Sequence, residues 1–246
     1  MCKMPVDILL NIWYNIYSKE RKDLIQLNKN YYLMLDTETA NGLDCPLVYD
    51  IGFAVIDKKG NVYESYSFIV YDIFCQMKDI MQTAYYKNKI PQYERDLAEG
   101  RRKIATYKTI KMIIARLCKK YNIVAIVAHN APFDYKSTNI TQRYLTKSKY
   151  RYFFPYGIPI WCTLTMARQT IAKQPTYITW CKLNGFTTKN GTVKLTAEIL
   201  YRFITQDIEF KESHTGLEDV LIEKEIFVRI LRQHKKIKRS PYRETA

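Results

Sequence analysis

Apolar and polar residues along the chain alternate between two periods. Tyr31-Tyr32-Leu33-Met34-Leu35 is an unbroken apolar run, the pattern of a strand buried on both faces, and it ends in Asp36-Thr37-Glu38-Thr39. Runs over 48–56 and 62–70 are joined by Asp57-Lys58-Lys59-Gly60-Asn61, whose turn chemistry predicts an antiparallel hairpin. A second fully buried strand is expected at Ile123-Val124-Ala125-Ile126-Val127-Ala128, and a short last one over 158–162. Helical spacing takes over elsewhere. Val6, Leu9, Leu10, Trp13, Ile16 and Tyr17 predict an N-terminal amphipathic helix over 4–19. Ile110, Ile113, Ile114 and Leu117 predict another over 106–121, and Pro132 opens one more. Further helices fall at 163–173, 176–184, 195–205 and 216–233.

The pattern predicts an α/β fold with a central mixed sheet of five strands flanked by helices. Residues 1–30 form an N-terminal helical extension and 31–233 the main domain. The stretch 72–105 breaks the strand pattern and reads as an insertion of short helices or flexible chain. Beyond the final helix, 234–246 is a basic tail, Lys235-Lys236-Ile237-Lys238-Arg239 at its centre, expected to fray.

Charge changes this picture more than length does. Against 24 acidic residues stand 39 basic ones, a net charge of +15, which favours a polyanionic partner, nucleic acid before an anionic membrane, over plain solubility charge. The 21 tyrosines offer stacking surface for single strands as readily as they offer core. Basic stretches at 101–120 and 136–151 are candidates for tracking a phosphate backbone. The six cysteines lie far apart with no Cys-x-x-Cys, which argues against a zinc site or a disulfide scaffold. No run approaches the roughly 18 apolar residues of a membrane span. The N-terminus lacks a secretory pattern, so the cytoplasm is the expected location.

The candidate chemistry sits at element ends. In an extended chain Asp36 and Glu38 point to the same side, and two converging anions call for a hard cation with oxygen ligands, such as Mg2+. Asp207-Ile208-Glu209 repeats the spacing without an apolar run before it and reads as solvated loop. The second buried strand ends in His129-Asn130-Ala131-Pro132-Phe133-Asp134, which places Asp134 in the first turn of a helix. Ligands of open α/β sheets gather at the carboxyl ends of strands, where Asp134 would meet Asp36 and Glu38. In Ser213-His214-Thr215-Gly216-Leu217-Glu218-Asp219, Thr215 and Glu218 fit a capping box. Asp219 is expected to face out from that first turn. His214 lies on the loop before it, biased toward the neutral, base-competent form. A His-x4-acid spacing arises readily by chance, and His129 with Asp134 shows it too. His129 reads as a hydrogen-bonded core histidine. The signal is the ordered set of three acid clusters, not any one spacing.

As a set, Asp36-Thr37-Glu38-Thr39, His129 to Asp134 and His214 to Asp219 resemble the three motifs of the DEDDh family of 3′→5′ exonucleases. That family includes the proofreading subunit of bacterial replicative polymerase, RNase T and oligoribonuclease. The resemblance spans residues 36 to 219 and leaves out 1–30 and 72–105. One departure is Gly216, where many members carry Ala, which touches helix packing and not the chemistry. The resemblance implies an RNase H-like fold and release of nucleoside monophosphates from a free 3′ end of DNA or RNA. It implies two Mg2+ or Mn2+ ions on Asp36, Glu38, Asp134 and Asp219, with His214 as the base. It also implies that Thr37, Thr39, Asn130 and Phe133 meet or support the terminal nucleotide. Proofreading would need a DNA polymerase or another replication partner. The rival expectation is a catalytically idle or partner-activated nucleic-acid-binding module, against which all four acids and the histidine are present.

Overall fold

Strand β2 (Leu47–Asp57) is buried along its whole length, as only a central strand covered on both faces can be. A computed structural model describes residues 29–147 and 151–242 of the chain. The chain divides into two units, Met1–Asn30 and Tyr31–Ala246. The helix expected over 4–19 lies outside the described residues.

β1 (Tyr31–Ala40) pairs antiparallel with β2, and β2 pairs antiparallel with β3 (Val62–Val70). The predicted hairpin is therefore present, closed by Asp57, whose carboxylate accepts the amides of Lys59 and Asn61. β5 (Ala125–Ala128) joins the other side of β1 in parallel, followed by β6 (Ile160–Cys162). The sheet has six strands, in the order β4-β3-β2-β1-β5-β6, one more than the pattern predicts. The addition is β4 (Lys103–Ala105), a three-residue edge strand parallel to β3. Its exposed residues carry no alternation long enough to be read as a strand.

The stretch between β3 and β4 is mostly helical. It holds α1 (Tyr71–Phe74), α2 (Lys78–Met81), a 3-10 turn (Lys87–Lys89) and α3 (Ile90–Ala98). Then come α4 (Tyr107–Lys120), capped by Thr106, and α5 (Ala131–Thr146). They are followed by α6 (Thr163–Gln169), α7 (Pro175–Leu183), α8 (Ala197–Thr205) and α9 (Gly216–Leu231). One core, around Leu33, Leu35, Phe53 and Ile114, fills the side of the sheet under α3 and α4. A second, around Met34, Ala54, Phe227 and Ile230, lies under α9. This split follows the two-residue alternation of β1 and β2.

The tail is docked as far as it is described, contrary to expectation. The Cys162 amide donates to the Arg239 carbonyl at 2.9 Å, and the Arg239 guanidinium lies 4.5 Å from the Trp161 ring centre. An edge strand with open hydrogen-bonding groups holds the chain that follows α9. Cys118, Cys162 and Cys181 are buried free thiols. No described helix is long and apolar enough to cross a membrane.

Candidate active site

The carboxyl ends of β1 and β5 and the start of α9 open onto one cleft of about 920 Å³. Asp36, Glu38 and Asp219 meet there with one carboxylate oxygen from each within 4.8 Å of the others. The i, i+2 geometry of β1 brings the first two together. Asp219 comes from the first turn of α9. It is buried and turned into the cleft, not outward, because its own loop holds it: the Thr215 amide donates to it at 2.9 Å. The expected reciprocal capping box does not form. Thr215 instead donates its hydroxyl to the Glu218 carboxylate at 2.9 Å.

Asp134 lines the same cleft from the first turn of α5 and accepts the Thr37 hydroxyl at 2.8 Å. Thr37 thus joins the β1 motif to the α5 motif. Asn130 and Phe133 line the cleft, whereas Thr39 is half-buried and does not. His129 is held by Thr163 Oγ1 and the Leu195 carbonyl, both at 2.8 Å, and burial pushes its pKa down to about 4. It is hydrogen-bonded as expected, but it is half-buried and lines the cleft rather than lying in the core. Asp207-Ile208-Glu209 is exposed loop.

The acids of the cleft crowd together, with Lys89 as the counter-charge felt by Glu38 and Asp219. Among the described residues none of Asp36, Glu38, Asp134 and Asp219 forms an ion pair with Lys or Arg. Burial, reinforced by Asp50 and Asp219, pushes Glu38 up to about 9. Burial and Glu212 push Asp219 up to about 8, against hydrogen bonds from Ser213 and Thr215. Burial takes Asp134 to about 7, and burial with Glu223 and Asp134 holds Asp36 well above the usual carboxylate range. Such a cluster is the donor set of a hard divalent cation, all oxygen and without thiolate.

His214 stands at the cleft edge with its backbone in the left-handed region, φ 50°. Its ring stacks on Tyr86, centroids 4.6 Å apart and planes 10° apart. Burial and Lys89 lower its pKa against the pull of Glu198, which favours the neutral imidazole.

Several cleft residues have no place in the sequence reading. Glu223, one turn beyond Asp219 on α9, is buried and accepts the His129 amide at 3.0 Å. Its i+4 spacing from Asp219 within an apolar helix was a signal available in the sequence. Glu212, Arg168 and Lys194 also line the cleft, the last two exposed. Of the basic stretch 101–120, two arginines are spoken for. Arg102 is buried against Asp96, Asp50 and Glu218, and Arg101 pairs with Asp96 and Glu99. Arg102 braces the protein and is not free to follow a phosphate backbone, whereas the Arg101 side chain stays largely exposed.

No family model matches the chain, and no curated protein sequence matches it. Solved structures do. The chain superimposes on E. coli exonuclease I in complex with a 5cy-dT13 oligonucleotide with a TM-score of 0.53 and 17% identity, over 84% of this chain and 41% of that one. It matches S. pombe Pop2p in its Mg2+ and Mn2+ bound form with a TM-score of 0.51 and 12% identity, over 88% and 89%. Cell-death related nuclease 4 matches with a TM-score of 0.50 and 13% identity, over 85% and 66%. The chain therefore spans well under half of exonuclease I. Its fold is the RNase H-like fold of these nucleases.

Proposed function

We propose that this chain is a metal-dependent 3′→5′ exonuclease that removes nucleoside monophosphates from single-stranded DNA or RNA. The observation that carries the proposal is the convergence of Asp36, Glu38 and Asp219 within 4.8 Å, with Asp134 and His214 on the same cleft. Asp36, Glu38, Asp134 and Asp219 would hold two Mg2+ or Mn2+ ions. Bound there, paired metals stabilise the attacking and leaving oxygens of an in-line displacement at phosphorus.

The rest falls to the protein's own groups. Thr37, through its hydroxyl on Asp134, fixes the direction of that carboxylate. His214, held neutral, takes the proton of the attacking water, a step typically worth about 100- to 10,000-fold. Asn130 and Phe133 border the place of the terminal nucleotide. Arg168 and Lys194, exposed in the cleft lining, meet the phosphates behind it. The net positive charge draws the polyanion in and makes its binding salt-sensitive.

The test is a 3′-end degradation assay on 5′-labelled single-stranded DNA and RNA of one sequence. It is run with Mg2+, Mn2+ or EDTA, beside His214→Ala. A metal-dependent ladder shortening from the 3′ end and lost in the variant is expected. No degradation of either strand, with salt-sensitive binding intact, overturns the enzyme in favour of a binding module.

A further inference from the structure

His214 occupies a backbone conformation that residues with a side chain seldom adopt, so its surroundings must hold it there. Glu198 and Glu212 stand near the ring, and the contacts that hold its plane and its backbone come from the segment between β3 and β4. Lys89 Nζ donates to the His214 carbonyl at 3.4 Å. The Tyr86 ring covers the imidazole face to face, and Tyr85 packs edge-on against Tyr86, centroids 4.8 Å apart and planes at 90°. Lys89 Nζ also lies 5.2 Å from the centre of the Tyr86 ring. Among the described residues no hydrogen bond holds either imidazole nitrogen, and Glu212 stands 3.9 Å from Nδ1, beyond hydrogen-bond range. A stack fixes the plane of a ring while leaving both nitrogens open to water and substrate.

We propose that Tyr86 and Lys89 are positioning residues that hold His214 in its working orientation, Tyr86 by stacking on the imidazole and Lys89 by gripping its carbonyl. The proposal rests on the exonuclease reading above and gives the inserted segment a task in the reaction. Tyr86 also lines the cleft, and the split between kcat and KM separates a positioning role from a substrate contact. A ring displaced by about 1 Å loses on the order of 100-fold in a proton transfer that depends on alignment.

Steady-state and single-turnover rates of the full chain test it, with Tyr86→Ala, Tyr86→Phe and Lys89→Met made in wild-type and His214→Ala backgrounds. Tyr86→Ala is expected to lower kcat about 10- to 100-fold with KM within about twofold, and Lys89→Met to lower it less. Tyr86→Phe, which keeps the stacking face, recovers most of the loss. In the His214→Ala background Tyr86→Ala has no further effect, since the two act through one group. A loss carried by KM, or one that persists at full size without His214, overturns the proposal and makes Tyr86 a substrate contact.

A second measurement does not depend on turnover. The imidazole proton resonances of His214, assigned by their absence in His214→Ala, are expected upfield from the Tyr86 ring current. They should return in Tyr86→Ala and stay shifted in Tyr86→Phe. Unchanged resonances in Tyr86→Ala overturn the stack. If the wild-type protein releases no nucleotide with any metal, the exonuclease reading fails, and the resonances alone decide whether Tyr86 holds the ring.

Discussion

Gly52 on β2 and Gly216 at the start of α9 meet backbone to backbone. A Cβ on Gly216 would stand 2.5 Å from the Gly52 nitrogen, and one on Gly52 would overlap the Gly216 carbonyl carbon. The same contact lets the Gly216 amide donate to Asp50 at 3.0 Å. It seats the first turn of α9 directly on the sheet, which is how Asp219 reaches the end of β1.

Alanine at either position is therefore expected to push α9 away from β2. Overpacking of this kind typically costs about 1–3 kcal/mol. Denaturant midpoints of Gly216→Ala and Gly52→Ala should fall, and activity with them, because Asp219 and His214 move with the helix. An unchanged midpoint for Gly216→Ala would show that the contact relaxes to accept a methyl group.

Arg102 is the second brace. Its guanidinium is buried and reaches Asp96 at 3.1 Å, Glu218 at 2.8 Å and Asp50 at 3.4 Å. Removing one partner of a buried pair leaves an uncompensated charge and typically costs about 3–5 kcal/mol. Arg102→Met should lower the guanidinium chloride midpoint accordingly. Arg101→Met, whose side chain is largely exposed, should change it by less than about 1 kcal/mol.

The carboxylate cluster opposes folding when no cation neutralises it. Asp36→Asn removes one buried charge from the crowd, so it should raise the melting temperature in EDTA. The rise is about 2–4 °C for each kcal/mol gained. The same variant should release no nucleotide, and Mg2+ should no longer raise its melting temperature. Thermal melts with and without metal, beside the 3′-end assay, check both halves.

The pH dependence has a definite sign. Unfolded, these groups titrate near their ordinary values of 3.8 and 4.5. Folded, Asp134, Asp219 and Glu38 titrate at about 7, 8 and 9. Between those limits the native state binds more protons than the unfolded one, so stability in EDTA falls as pH rises through the window. Divalent metal competes with those protons, and its stabilising effect should therefore grow with pH. Melting curves at about pH 5, 7 and 9 with EDTA or Mg2+ test this, and a metal effect that shrinks as pH rises would contradict it.

Much of this was legible in the sequence because it rests on local rules. The apolar run before Asp36, the turn after Asp57 and the helix starts at Pro132 and Gly216 each depend on near neighbours. Together they place three acid clusters at element ends. Local pattern also separated His129, at the end of a buried strand, from His214, on a loop before a helix.

Tertiary structure decided the rest, wherever a side chain's partner lies far along the chain. Arg102 sits in a basic run but is bound to Asp50 and Glu218, 52 and 116 residues away. Lys89 reaches His214 across 125 residues. Asp219 turned inward because the Thr215 amide and the seating of Gly216 on Gly52 aim it there. The tail stayed docked because β6 is an edge. The sequence alone determined which residues carry charge at the ends of strands and helices, since periodicity and turn chemistry act over a few residues. Which of those charges share a cleft, and which are spent on bracing it, was decided only by packing, because contacts between distant segments leave no periodic trace along the chain.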